Sequence, residues 1–169
     1  PYVDEYVILS TPDAATRMAA LRSGQADFIW VASPGEVETA RKTNPKLVVS
    51  AYHNTLTPFG LALAQDKPPF NDVRVRQALS LVIDREFIAE QIWGQTMVPA
   101  YSFVPPGINN YGTPATDAAK DMSPIDREEK AKALLKEAGF GPGGAKLSVE
   151  IRYNTSENHK NTSVALADM

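Results

Sequence analysis

Two histidines, His53 and His159, are the side chains of this 169-residue chain best suited to proton transfer or ligand binding. Neither has catalytic company. A catalytic imidazole needs a nucleophile or carboxylate in register, and a metal site needs three or four ligands at recognisable spacing. Neither an H-E-x-x-H nor a G-x-S-x-G motif occurs, and the chain has no cysteine. That removes thiol catalysis, iron–sulfur clusters and cysteine zinc sites. A lone His is more often structural or exposed than a ligand contact. Asp84, Glu86 and Glu90 share a helical stretch, where Asp84 reads as a cap and the glutamates as charges on the polar face. The glycine-rich run 139–144 resembles a phosphate loop only in composition. Phosphate loops lead from a strand into a helix, whereas this run follows a helix and precedes a strand-like segment, so it reads as a C-cap and turn. No catalytic residue, metal site or cofactor is assigned.

Bulk properties narrow the partners. A net charge of −3 with scattered Lys and Arg offers no basic stripe for nucleic acid. Hydrophobic residues make up 43% and charged residues 22%, which is globular usage. No apolar run approaches the roughly 18 residues of a membrane span, and no signal-peptide pattern opens the chain. Absence of cysteine suits an oxidising compartment without requiring one. Asn154-Thr155-Ser156 and Asn161-Thr162-Ser163 fit the N-glycosylation pattern, which is common by chance.

The elements that must position any site alternate between strand and helix. Residues 2–9, 26–31 and 47–52 read as strands. A helix between the first two is capped by Thr11 or Asp13 and stops at Ser23-Gly24; a second spans 34–43, with Pro34 near its first turn. That alternation predicts an α/β sheet with crossovers. A polar stretch from Asn54 to Thr57 then marks a crossing between two lobes, followed by a strand at 59–64. Asn71 or Asp72 caps the strongest helix, whose stripe runs through Val75, Ala78, Leu79 and Val82, and Asp84 re-caps it before Gly94 closes it. Residues 101–122 read as irregular. A further helix opens at Ser123-Pro124 and runs through Ala138, a strand spans 146–153, and a last helix begins at Asn158. That helix has no stop signal, so more polypeptide is expected to follow. Most aromatic residues fall on apolar faces; Trp93, beside Gly94, is the one expected nearest a cleft.

The run from Lys67 to Leu79, K-P-P-F-N-D-V-R-V-R-Q-A-L, continuing to Ile83-Asp84-Arg85, resembles the signature of the family 5 solute-binding proteins of ABC importers. Supporting segments recur in the family's order: Pro12-Asp13-Ala14 with Arg17, Leu21-Arg22-Ser23-Gly24-Gln25-Ala26-Asp27, Pro99-Ala100-Tyr101, and Lys130 to Phe140. The resemblance spans essentially the whole chain. It implies a periplasmic-binding-protein-like, two-lobed α/β fold (type II, cluster C), present in part, with mixed sheets flanked by helices. Residues 1–56 would belong to lobe I and 57–169 to the N-terminal part of the second lobe, with a hinge at Asn54, Thr55, Leu56 and Thr57.

Within that family, Tyr153-Asn154-Thr155-Ser156-Glu157-Asn158-His159-Lys160 is similar to the oligopeptide-binding members, where the matching His helps hold the peptide's C-terminal carboxylate. The resemblance therefore implies ligand contacts from His159, Asn154, Thr155 and Ser156, with Trp93 nearby. It implies a periplasmic, non-enzymatic carrier that passes oligopeptides to ABC permease subunits, with no membrane span of its own. Departures concern the pockets: no Lys stands near Trp93, and no Tyr or Glu near Gly60 and Ala62. Other ligands of the family (dipeptides, nickel chelates, heme, opines or sugars), a sensor domain of the same fold and an α/β enzyme remain the alternatives.

Overall fold

The helices start and stop where short polar side chains and glycines dictate. The computed structural model describes residues 2–30, 34–50, 59–94, 96–104, 108, 110–113 and 115–169. Helix α1, Ala14–Ser23, begins where the Asp13 carboxylate accepts the Thr16 amide, and ends at Gly24, whose φ of 74° is the left-handed conformation that glycine adopts without a Cβ penalty. Helix α2, Pro34–Thr43, packs against α1. Helix α3, Val73–Val82, starts at Asp72, which caps Arg74 N–H and also grips the Arg74 guanidinium at 2.6 Å.

Asp84 then re-caps the chain, as its spacing predicts, accepting the Phe87 amide at 2.9 Å. The helix it opens, α4, covers Arg85–Phe87 and widens into a π-helical turn, Ile88–Ile92. That extra residue per turn sets the direction in which Trp93 leaves the helix. Helix α5, Pro124–Glu137, is capped by Ser123 and carries Pro at its start. Helix α6 is Glu157–Asp168.

The core lies where α3 crosses α5. Ala78, Leu81, Ala119 and Ala131 are buried together, with Val82, Tyr101, Met122, Leu134 and Leu135 packed around them. Alanines at the crossing allow the two backbones to approach closely. Arg74 Nη1 donates to the Glu137 carbonyl at 2.8 Å, tying the start of α3 to the end of α5. Tyr101 joins α4 to α5: its hydroxyl donates to Glu86 at 2.7 Å and accepts from Arg127 of α5 at 3.4 Å, and the Arg85 guanidinium lies 4.9 Å from the ring centroid. Burial, then the Glu86 carboxylate, raises the Tyr101 pKa above its ordinary value, so the phenol remains a donor.

The glycine run is the expected helix C-cap and turn: Gly139, Gly141 and Gly143 have positive φ, and Phe140 bridges to Ala145. Two expectations are altered. The loop 101–122, expected to be irregular, holds a 3-10 turn, Ala118–Asp121, capped by Asp117. The described residues of the five strand-like segments form no ladder with one another. Their apolar side chains lie open, as Ile8, Phe28, Trp30 and Val48 illustrate. A strand forms by pairing, and periodicity reports only which face is apolar, not whether a partner is present. The hinge residues Asn54, Thr55, Leu56 and Thr57, together with His53, lie outside the described residues.

Candidate functional site

His159 sits in the first turn of α6, where a local turn and a long-range ring cluster converge on it. The local part starts at Asn154. Its side-chain oxygen accepts the Ser156 amide at 3.0 Å, an Asx turn that reverses the chain just ahead of the helix. The same oxygen lies 2.6 Å from His159 Nδ1. One amide side chain therefore shapes the entry to α6 and holds the imidazole. Ser156 is the N-cap by backbone geometry, but its hydroxyl makes no capping hydrogen bond. The first turn of α6 thus keeps amides open to an outside acceptor, where the helix dipole also favours negative charge.

The long-range part fixes the ring's faces. Phe59 lies 4.9 Å from the His159 ring centroid at an interplanar angle of 36°, and Trp93 lies 5.9 Å away at 46°. Phe59 and Trp93 also touch each other, with centroids 5.1 Å apart. Trp93 is only 5% exposed: it is packed, the reading favoured for the aromatic residues as a group, at the helix end expected nearest a cleft. Its indole N–H donates to Thr162 Oγ1 at 3.1 Å, and Thr162 in turn donates to the Asn158 carbonyl at 2.8 Å. Every polar atom of the Trp93–Thr162 pair is satisfied without solvent, the condition under which a buried pair rigidifies its surroundings.

Of the expected ligand residues, Asn154 and His159 meet directly, Ser156 meets Asn154 through its amide, and Trp93 supports the imidazole. Thr155 is exposed beside them. Sequence reasoning did not single out Phe59 or Thr162 for this site. For Thr162 a local signal existed, since it lies three residues after His159 and four after Asn158 on one helix. For Phe59 none did; its contact depends on the tertiary fold.

Elsewhere the charged surface includes simple local pairs. Glu38 with Lys42 and Glu128 with Lys132 form exposed i, i+4 pairs at 2.7 and 2.6 Å. Among the described residues no cluster of three or more His, Cys, Asp or Glu could hold a metal ion, and no helix is long and apolar enough to cross a membrane.

Comparison with known proteins adds the lineage. The model of "Bacterial extracellular solute-binding proteins, family 5 Middle" matches residues 1–169. The chain is 34% identical to the periplasmic oligopeptide-binding protein OppA of Salmonella typhimurium, covering 99% of this chain and 30% of that protein. It is 35% identical to the probable deoxycholate-binding periplasmic protein YgiS of Escherichia coli, over 96% of this chain and 29% of the relative. Among solved structures, the murein tripeptide binding protein MppA of Escherichia coli superposes with a TM-score of 0.57 at 38% identity, covering 62% of this chain and 20% of that one. The chain spans about 30% of the length of the curated relatives named here.

Proposed function

The chain belongs to the family 5 bacterial extracellular solute-binding proteins, and from that premise we propose that it forms part of the binding component of an ABC importer, capturing oligopeptides and passing them to the permease. The observation that carries the ligand class is the His159 site: an imidazole held at Nδ1 by Asn154, backed by Phe59 and Trp93, beside the open first turn of α6. A hydrogen-bond donor next to a helix N-terminus suits a carboxylate, the group at one end of every unmodified peptide. Asn154, Thr155 and Ser156 would line that end of the ligand, and Trp93 would act through the imidazole it supports.

The carrier works as a clamp in this reading. Residues 1–56 contribute to one lobe and 57–169 to the other, with Asn54 to Thr57 as hinge, and closure buries an extended peptide whose main chain is satisfied much as an added strand is. The open apolar segments pair into mixed sheets with polypeptide that the longer relatives possess. The protein operates in the periplasm, is not an enzyme and relies on its permease partners for passage through the membrane. The relative named for deoxycholate supports a second reading, since a bile acid also presents a carboxylate, here on an apolar body.

Mass spectrometry of whatever co-purifies with the full-length protein separates the two, a peptide ladder supporting the first and a steroid mass the second. Calorimetry with trialanine then tests the site: His159→Ala is expected to weaken binding at least tenfold. Unchanged affinity would remove His159 from the ligand's carboxylate. The 169 residues alone, which span about 30% of the length of the relatives, are expected to bind peptide weakly or not at all.

A further inference from the structure

The hydrogen-bond partners of Asn154 fix which nitrogen of His159 carries its proton. The Ser156 amide is a backbone N–H and can only donate, so the Asn154 atom facing it at 3.0 Å is the carbonyl oxygen. A carbonyl oxygen can only accept. The His159 Nδ1 that lies 2.6 Å from that same oxygen must therefore be the protonated nitrogen. A half-turn of the ring would keep its stacking on Phe59 and Trp93 but would set Cδ2–H in place of Nδ1 and lose the hydrogen bond to Asn154, so that bond fixes the ring's orientation. His159 Nε2 has no hydrogen-bond partner among the described residues. The side chains that other elements place against the ring, Phe59, Trp93 and Asn154, are uncharged. The charged groups beside it are Glu157 and Lys160 on its own helix, paired with each other at 3.4 Å, and Tyr153 adjoins Asn154.

With Nδ1–H committed to Asn154, a neutral His159 shows the ligand a lone pair at Nε2, and a lone pair repels a carboxylate. Only the imidazolium has a hydrogen to offer there. We propose that His159 takes up one proton from solvent onto Nε2 as it engages the ligand carboxylate, so that capture is linked to pH, with Asn154 as the positioning residue that enforces the link. This rests on the carboxylate reading of the site and adds its regulation. The sign follows from linkage: wherever the free imidazole is neutral, binding consumes a proton, and Kd rises about tenfold per pH unit. A ligand that donates to Nε2, or that lacks the carboxylate, escapes the dependence.

The test uses the full-length protein containing this sequence, with trialanine and its C-terminal amide as probes. Calorimetry at about pH 8 in two buffers of different ionisation enthalpy counts protons. Trialanine is expected to bind with uptake of close to one proton and the amide with none. Asn154→Ala frees the ring to carry its single proton on Nε2, so uptake should fall below about half a proton and the pH slope should flatten. Nitrogen NMR reads the tautomer in the ligand-free wild-type protein at alkaline pH: neutral His159 is expected as the Nδ1–H tautomer, its resonance assigned as the one lost in His159→Gln. An Nε2–H tautomer in the wild type would overturn the proposal. So would trialanine binding without proton uptake while His159→Ala still weakens it, and in that case the carboxylate site stands and only the linkage falls. If His159→Ala leaves trialanine binding unchanged, both fall together.

Discussion

Two parts of the molecule with similar local sequence quality have reached different degrees of burial. In residues 59–169, α3 and α5 bury Val75, Ala78, Leu81 and Ala131, and Val75 is 0% exposed. Among the described residues of 2–50, α1 forms with caps as good, yet Met18 and Ala40 are the buried apolar residues, while Trp30 is 74% and Val48 86% exposed. The difference is one of partner range. A helix satisfies its backbone internally and needs one apolar neighbour, which α3 and α5 supply to each other across a connection inside the chain. A strand leaves its backbone and one face open until another strand pairs with it. Capping and propensity act at short range in both regions; only the first has its long-range partners present among the described residues.

The contrast can be broken most directly by placing a charge at matched positions. Val75→Asp should lower unfolding stability by about 3 kcal/mol or more, because a buried carboxylate would lack a partner. Val48→Asp should stay within about 0.5 kcal/mol, since the side chain is already in water. Urea titration followed by circular dichroism reads both, and equal losses would mean that the two regions are equally packed in solution. The aromatic residues sharpen the same point. Trp93→Phe removes the hydrogen bond to Thr162 and leaves a gap, for about 1–2 kcal/mol, whereas Trp30→Phe should be near neutral. Loss of the Trp93 side chain should also broaden the His159 resonances, which Trp30→Phe should leave alone.

Acid gives a smaller effect, clearest at the α3 cap. The hydrogen bonds and charge of Arg74 lower the Asp72 pKa from 3.8 to about 2. The folded-state pKa is depressed, so the stabilisation is complete above the unfolded value and is lost as pH falls through the window from about 4 to about 2. Asp72→Asn should flatten the melting temperature across that window, and an unchanged acid limb would show that the cap is not formed in solution. Smallest of all, Lys132→Met should leave the urea midpoint unmoved, because its pair with Glu128 is exposed and solvent-screened. A measurable loss there would mean that the pair belongs to a larger network.

Much of this was legible in the residues themselves. Asp13, Asp72, Asp84 and Ser123 cap the helices their spacing predicts, and Gly24 ends α1 in the left-handed conformation. The Asn154–Ser156–His159 turn is local too, since all its hydrogen bonds join residues within five positions, and this is why a short motif could carry the resemblance on which the ligand class was expected. The lineage followed from the Lys67–Leu79 run and its companions, and the family match covers the same 169 residues.

What the tertiary structure alone decided is which surfaces are shared. It brought Phe59 and Trp93 to His159 from positions far apart in the chain, joined the buried Trp93 to Thr162, and turned a plain loop into a capped 3-10 turn beside the α3–α5 core. It also left the alternating apolar segments without mates among the described residues. Caps, turns and helical stripes are encoded within about one helical turn of sequence, so reading neighbours suffices. Ring stacking and strand pairing depend on distance through space, and no periodicity along one segment says what will lie against it.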